Sequence, residues 1–179
     1  MLPAPVPESG PLSAKDLDTL WHAWSGTNEI SRDFSGKAFK LRTGQAVDLL
    51  KTKLIPVPES RVARAAELIK QLDDDNVDIR DKASKELGLD AHPIEPLILS
   101  AFAASKPGEV RNRLTIVKNA IAASPRSTDL ILQLRGIALL EYVGGSAAEV
   151  ELKRLATGAA GTRVTEEALA AVKRMEVKK

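Results

Sequence analysis

Cysteine is absent from this 179-residue chain, which excludes a disulfide framework and thiolate metal sites but leaves the compartment undecided. Aromatic residues are few, with Trp21, Trp24, Phe34, Phe39, Phe102 and Tyr142 amounting to 3% of the chain. That shortage, set against abundant Ala, Leu, Lys, Arg, Glu and Asp, favours helix over strand. No apolar run approaches the roughly 18 residues that span a bilayer, so a soluble chain without a membrane partner is expected. The histidines are His22 and His92, and neither has a second ligand at the spacing a zinc site uses. No nucleophile, base and orienting acid assemble from the sequence, so no catalytic residue, cofactor or metal site is assigned.

What remains is helical periodicity. The start, MLPAPVPESGPL, lacks both a basic leader and a continuous apolar core, so it reads as an extended proline-rich arm over residues 1–12 and not as a signal peptide. A single helical domain is expected over 13–179. Ser13 and Asp16 form a capping box, with Leu12 and Leu17 at staple spacing. Ile30, Phe34, Ala38 and Leu41 then make one stripe, Val47, Leu50 and Leu54 another, and Pro56 and Pro58 break the pattern. Val62, Ala65, Ile69 and Leu72 define the next helix, and Ile79, Ala83 and Leu87 the one after the acidic turn at Asp73, Asp74 and Asp75. Further helices follow through Phe102, Ile121 and Leu134 to a last one capped by Thr165 that buries Leu169, Val172 and Met175. The trio Asp78, Ile79, Arg80 recurs as Glu109, Val110, Arg111, each opening a helix after a polar turn, with weaker echoes at Glu29 and Arg163. Unequal spacing makes the repeat degenerate. The expected fold is all-α, an irregular α-solenoid of about nine short helices in antiparallel pairs.

The segment LIKQLDDDNVDIRDKASKEL, Leu68 to Leu87, resembles a HEAT repeat: helix, acidic turn, then an apolar residue and an arginine opening the second helix. The resemblance implies that Asp73 or Asp75 bonds Arg80 along the stack, as structural charges. A wider likeness covers roughly Leu20 to Met175. It is carried by LQLRGIALLEYVGGSAAEVELKRLATG and RVTEEALAAV, with matches that include Leu134, Arg135, Glu141, Gly144, Leu152 and Thr165. These look like the helical domain that follows WD-repeat β-propellers in large bacterial multidomain proteins, although here only the proline-rich arm precedes it. That family brings no activity to transfer.

Glu141 falls on an otherwise apolar stripe, seven residues after Leu134, and must be paired or bonded there; an arginine or the start of the next helix near Ser146 would serve. Charge is uneven. Residues 61–105 hold six basic and nine acidic groups, and residues 106–179 thirteen and eight, an asymmetry that can orient a partner. Arg111 and Lys118 have no acid three or four positions away, so Arg111, Thr115 and Lys118 are expected to form a partner-binding ridge for an acidic protein surface. The expected function is a noncatalytic protein-interaction scaffold. Nucleic acid bound through the basic C-terminal half is the second reading; partner identity and oligomeric state are left open.

Overall fold

The computed structural model describes residues 10–177, so most of the expected 1–12 arm lies outside the described residues. Among them are ten helices and no strand. The first five are α1 (Ala14–Ser25), α2 (Glu29–Lys40), α3 (Thr43–Lys53), α4 (Glu59–Gln71) and α5 (Val77–Leu89). The second five are α6 (Glu95–Ala104), α7 (Glu109–Ala123), α8 (Thr128–Val143), α9 (Gly145–Ala156) and α10 (Arg163–Val177). None is long and apolar enough to cross a membrane.

Local chemistry sets these boundaries. Ser13 accepts the Asp16 amide while Asp16 accepts the Ser13 amide, and the Ser13 bonds hold the Asp16 carboxyl below its ordinary range. Asn28 and Asn76 cap α2 and α5 by accepting from Ser31 and Asp78 amides. Between α8 and α9 the chain turns through Gly144 and Gly145 with φ of 69° and 84°, a left-handed pair that side chains with a Cβ resist.

The chain gathers into two compact units, where the sequence reading drew one domain over 13–179. The first runs through Ile55 and adds Ile131–Ala156 and the residues from Glu167 on; the second comprises Pro56–Leu130 and Thr157–Glu166. In the first, α1 packs on α2, α2 on α3, and α3 on α9. In the second, α4 packs on α5, α6 on α7, and α5 on α7. The second unit's core is one cluster running from Ala65, Leu68 and Leu72 through Ala83, Leu87 and Ile98 to Leu114, Val117 and Ile121.

Several expected core positions lie elsewhere. On α2, Ile30 and Leu41 are 69% and 79% exposed and Phe34 is partly exposed, whereas Ser35, Gly36, Ala38 and Phe39 are buried. The small face wins because it admits Trp24: a Cβ on Gly36 would sit 2.7 Å from Trp24 Cζ3. Ile79, in the first turn of α5, is exposed while Ala83 and Leu87 one and two turns on are fully buried. Leu169 is likewise outside, and Ala168, Ala171 and Met175 form the buried face of α10. That helix starts at Arg163, not after Thr165, with the Thr162 and Thr165 hydroxyls bonded to each other at 2.9 Å. Leu12, assigned to the arm, is buried, and the Gln45 side chain bonds both its amide and its carbonyl.

Gly136 of α8 faces Leu54, whose methyl groups occupy the space a Cβ would need. Leu54 is itself 1% exposed and has nowhere to move. Gly136→Ala is expected to cost about 1–3 kcal/mol through overpacking, read as a lower urea midpoint. Gly88→Ala, on a helical position with nothing within 4 Å of the new methyl, is expected to stabilise by about 0.5–1 kcal/mol.

Candidate functional site

One device recurs in the first turns of α2, α5 and α7. In α5, Arg80 Nη1 donates to the carbonyls of Asp74 (2.6 Å) and Asp75 (3.1 Å), and Ser84 donates its hydroxyl back to the Arg80 carbonyl. In α7, Arg111 Nη1 donates to the carbonyls of Phe102 (3.0 Å) and Ser105 (2.8 Å), and Thr115 donates to the Arg111 carbonyl. In α2, Arg32 Nη2 donates to the Gly26 carbonyl at 2.9 Å, and Ser35 donates to the carbonyls of Ser31 and Arg32. Each arginine reaches back from its own helix to carbonyls at or just beyond the end of the helix before, tying the intervening turn. A cation there also meets the negative end of the helix dipole.

This geometry revises the expected site. Arg80 bonds backbone carbonyls, not the carboxylates of Asp73 or Asp75, both of which are exposed residues. A guanidinium within reach of two converging carbonyls has no need of a flexible surface carboxylate. Arg111 is not free: besides its two carbonyls, it stacks over the Phe102 ring, 4.2 Å from the ring centre. Lys118 lies over the same ring at 4.3 Å, so the two cations share one aromatic partner. The acids that matter come from other turns and helices. Arg113 bonds Asp81 of α5 at 2.7 Å and Glu109 at 2.6 Å, and also reaches Ser84, tying α7 to α5. Those bonds raise the Arg113 pKa, with Asp81 the largest cause.

In the first unit, Glu141 is paired with an arginine, Arg174, through a two-oxygen contact at 2.8–3.1 Å. Arg174 also bonds Glu167 at 2.8 Å, and the two carboxylates raise its pKa, Glu141 most. Glu141 lines a cleft of about 530 Å³ with Lys40, Tyr142, Ser146 and Met175. Glu151 is more deeply placed: its side chain is 2% exposed and both its oxygens accept from Arg154, which also bonds the Leu54 carbonyl at 2.8 Å. Sequence reading missed this pair, although Glu151 stands three residues after Ala148 on a buried face and Arg154 three residues further.

A second missed cluster joins α1, α2 and α8. Arg135 Nη1 donates to the Gly26 carbonyl at 2.7 Å, the same oxygen Arg32 bonds. Burial, and then the Arg32 charge, lowers the Arg135 pKa. Trp24 Nε1 donates to the Arg135 carbonyl at 2.9 Å, and its ring packs on Tyr142 at 5.7 Å. In the second unit, His92 Nε2 lies 3.1 Å from both the carbonyl and the hydroxyl oxygen of Ser124, beside a cleft of about 320 Å³. The Ser124 hydroxyl donates to the Ala120 carbonyl at 2.8 Å, and His92 Nδ1 is buried without a partner. The carbonyl contact requires Nε2 to carry the proton, so the imidazole faces Ser124 as a donor and the contact fastens a helix end. Among the described residues no three metal-ligating side chains converge. No protein-family model, curated protein or solved structure matches the chain.

The burial contrast sets an order of stabilities. Glu151→Ala removes the charge-assisted bonds of the buried carboxylate and leaves Arg154 to the Leu54 carbonyl and water, with an expected cost of about 1.5–3 kcal/mol. Arg80→Ala, which leaves two carbonyls without their charged donor, is expected to cost about 1.5–3 kcal/mol. Asp33→Ala, breaking an exposed pair with Lys37, should leave stability nearly unchanged. Urea unfolding followed by helical circular dichroism checks the order, and an Asp33 variant as unstable as the Glu151 variant would contradict it.

Proposed function

We propose that this chain is a noncatalytic helical-repeat module that holds a protein partner, built as a HEAT-like stack of antiparallel helix pairs. The observation that carries the reading is the recurrence of the arginine device in consecutive pairs. Arg80 and Arg111 each bind the turn before their own helix, and α5 packs on α7, as stacked repeats require of neighbouring second helices.

The partner-binding surface is assigned to α7. Arg111 is withdrawn into its turn, but Lys118 has no carboxylate within ion-pair distance among the described residues, and Ile116 is 65% exposed on the same helix. An unneutralised cation suits an acidic protein surface; Ile116, two residues away and so on a different side of the helix, is not part of that contact. Nucleic acid is the weaker reading. Of the basic C-terminal half, Arg113, Lys153, Arg154, Arg163 and Arg174 lie against carboxylates, which reduces the charge that half offers to phosphates.

A photo-reactive side chain in place of exposed Asn119 is expected to crosslink to a protein. Lys118→Glu is expected to weaken binding of that purified partner by about tenfold without changing the helical signal or the melting curve. Equal binding by the folded variant would overturn the assignment to α7. Captured nucleic acid, released steeply by salt, would replace the protein reading.

A further inference from the structure

Arg32 of α2 and Arg135 of α8 converge on one oxygen, the Gly26 carbonyl, at 2.9 and 2.7 Å, so their bonding nitrogens stand within about 6 Å of each other in a half-buried setting where like charges repel. The end of α1 supplies about half a negative charge against two full positive ones. Among the described residues no carboxylate lies within ion-pair distance of either guanidinium; Asp33, beside Arg32 in sequence, is committed to Lys37. The other half-buried arginine of this unit shows what a compensated site looks like, since Arg154 is held by both oxygens of Glu151. Arg32 and Arg135 have no such partner.

Their donors are also unused. Each guanidinium has five N–H groups, and each uses a single nitrogen at Gly26. Arg32 Nε is moreover buried with no acceptor, a condition that native interiors rarely tolerate. The missing component is therefore an acceptor carrying negative charge. Trp24, bonded through Nε1 to the Arg135 backbone, fixes the second arginine's helix position beside the first, so the pair is preorganised.

We propose that Arg32 and Arg135 form a receptor for a phosphoryl group. A carboxylate could bridge the two forks but brings only one negative charge to two positive ones, whereas a phosphoryl group presents three strong acceptor oxygens and up to two negative charges. The site is independent of the α7 surface proposed above.

The test is an amide and arginine Nε–H NMR titration of the intact chain at constant ionic strength with inorganic phosphate, O-phosphoserine and acetate. Phosphate is expected to give saturating shifts at Gly26, Thr27, Arg32 and Arg135 and to raise the melting temperature, while acetate gives at least tenfold weaker binding. Arg135→Gln is expected to weaken phosphate binding by at least tenfold and abolish the melting shift. Tighter binding of O-phosphoserine than of phosphate assigns the group to a phosphorylated residue; the reverse assigns it to the free anion. The proposal is overturned if phosphate shifts map elsewhere, if acetate matches phosphate, or if a folded Arg135→Gln chain binds phosphate as the parent does. Should Arg135→Gln not fold, the parent's shift map and its anion preference decide alone.

Discussion

The carbonyl groups left over where one helix ends and the next begins are the constraint on which the second unit is organised. Four carbonyls at each helix end lack amide partners, and short connections bring them where water is partly excluded. Arg80 and Arg111 answer this by reaching back from the following helix, so that a single side chain both closes the turn and sets the start of its own helix. Once the turn is closed, Ala83 and Leu87 enter the core alongside Leu114 and Val117. Arg113 can then connect α7 to α5 through Asp81.

Helix existence was readable from the sequence because capping chemistry is local. Ser13 with Asp16, and the prolines at Pro56 and Pro58, act within a few residues, and the structure places helix ends where they stand. Facing direction was harder to read. On α2 the large residues Ile30, Phe34 and Leu41 make the better stripe on paper, but burial goes to the side that Trp24 can approach, and that depends on a residue outside the helix. The arginines illustrate the same limit. Arg111 looks unpaired when only acids in its own helix are considered, yet its acceptors are backbone carbonyls six and nine residues earlier, which no pattern of side chains records. Glu141 was recognisable as a residue needing a partner; Arg174, 33 positions away, was not identifiable as that partner.

Charge in this protein is thus handled in three different ways. Exposed pairs such as Lys37 with Asp33 and Lys51 with Asp48 lie one helical turn apart and contribute little. Glu151 with Arg154 joins a buried carboxylate to a half-exposed guanidinium, and its value shows mainly when the carboxylate loses its partner. The arginines at helix ends rely on backbone carbonyls, with Arg80 alone also reaching an acid, Glu109 at the 4.0 Å limit of an ion pair, and they are the charges most closely tied to the architecture. Composition alone treats all three alike, so a net charge of +2 says nothing about which cations remain available to a ligand.

The two units differ in how the polypeptide is threaded through them. The hydrophobic cluster of the second lies between Ala65 and Ile121 in one continuous stretch, whereas the first needs Leu54 to meet Gly136 and Arg154. Contacts between distant segments form against a larger entropy of loop closure. During synthesis the second cluster is therefore complete in the emerging chain while Leu54 still waits for the residues that will cover it. Birth order is built into the threading: the cluster between Ala65 and Ile121 is able to condense first, and its own unit closes only when residues 157–166 bond back to Val57, Pro93 and Leu97.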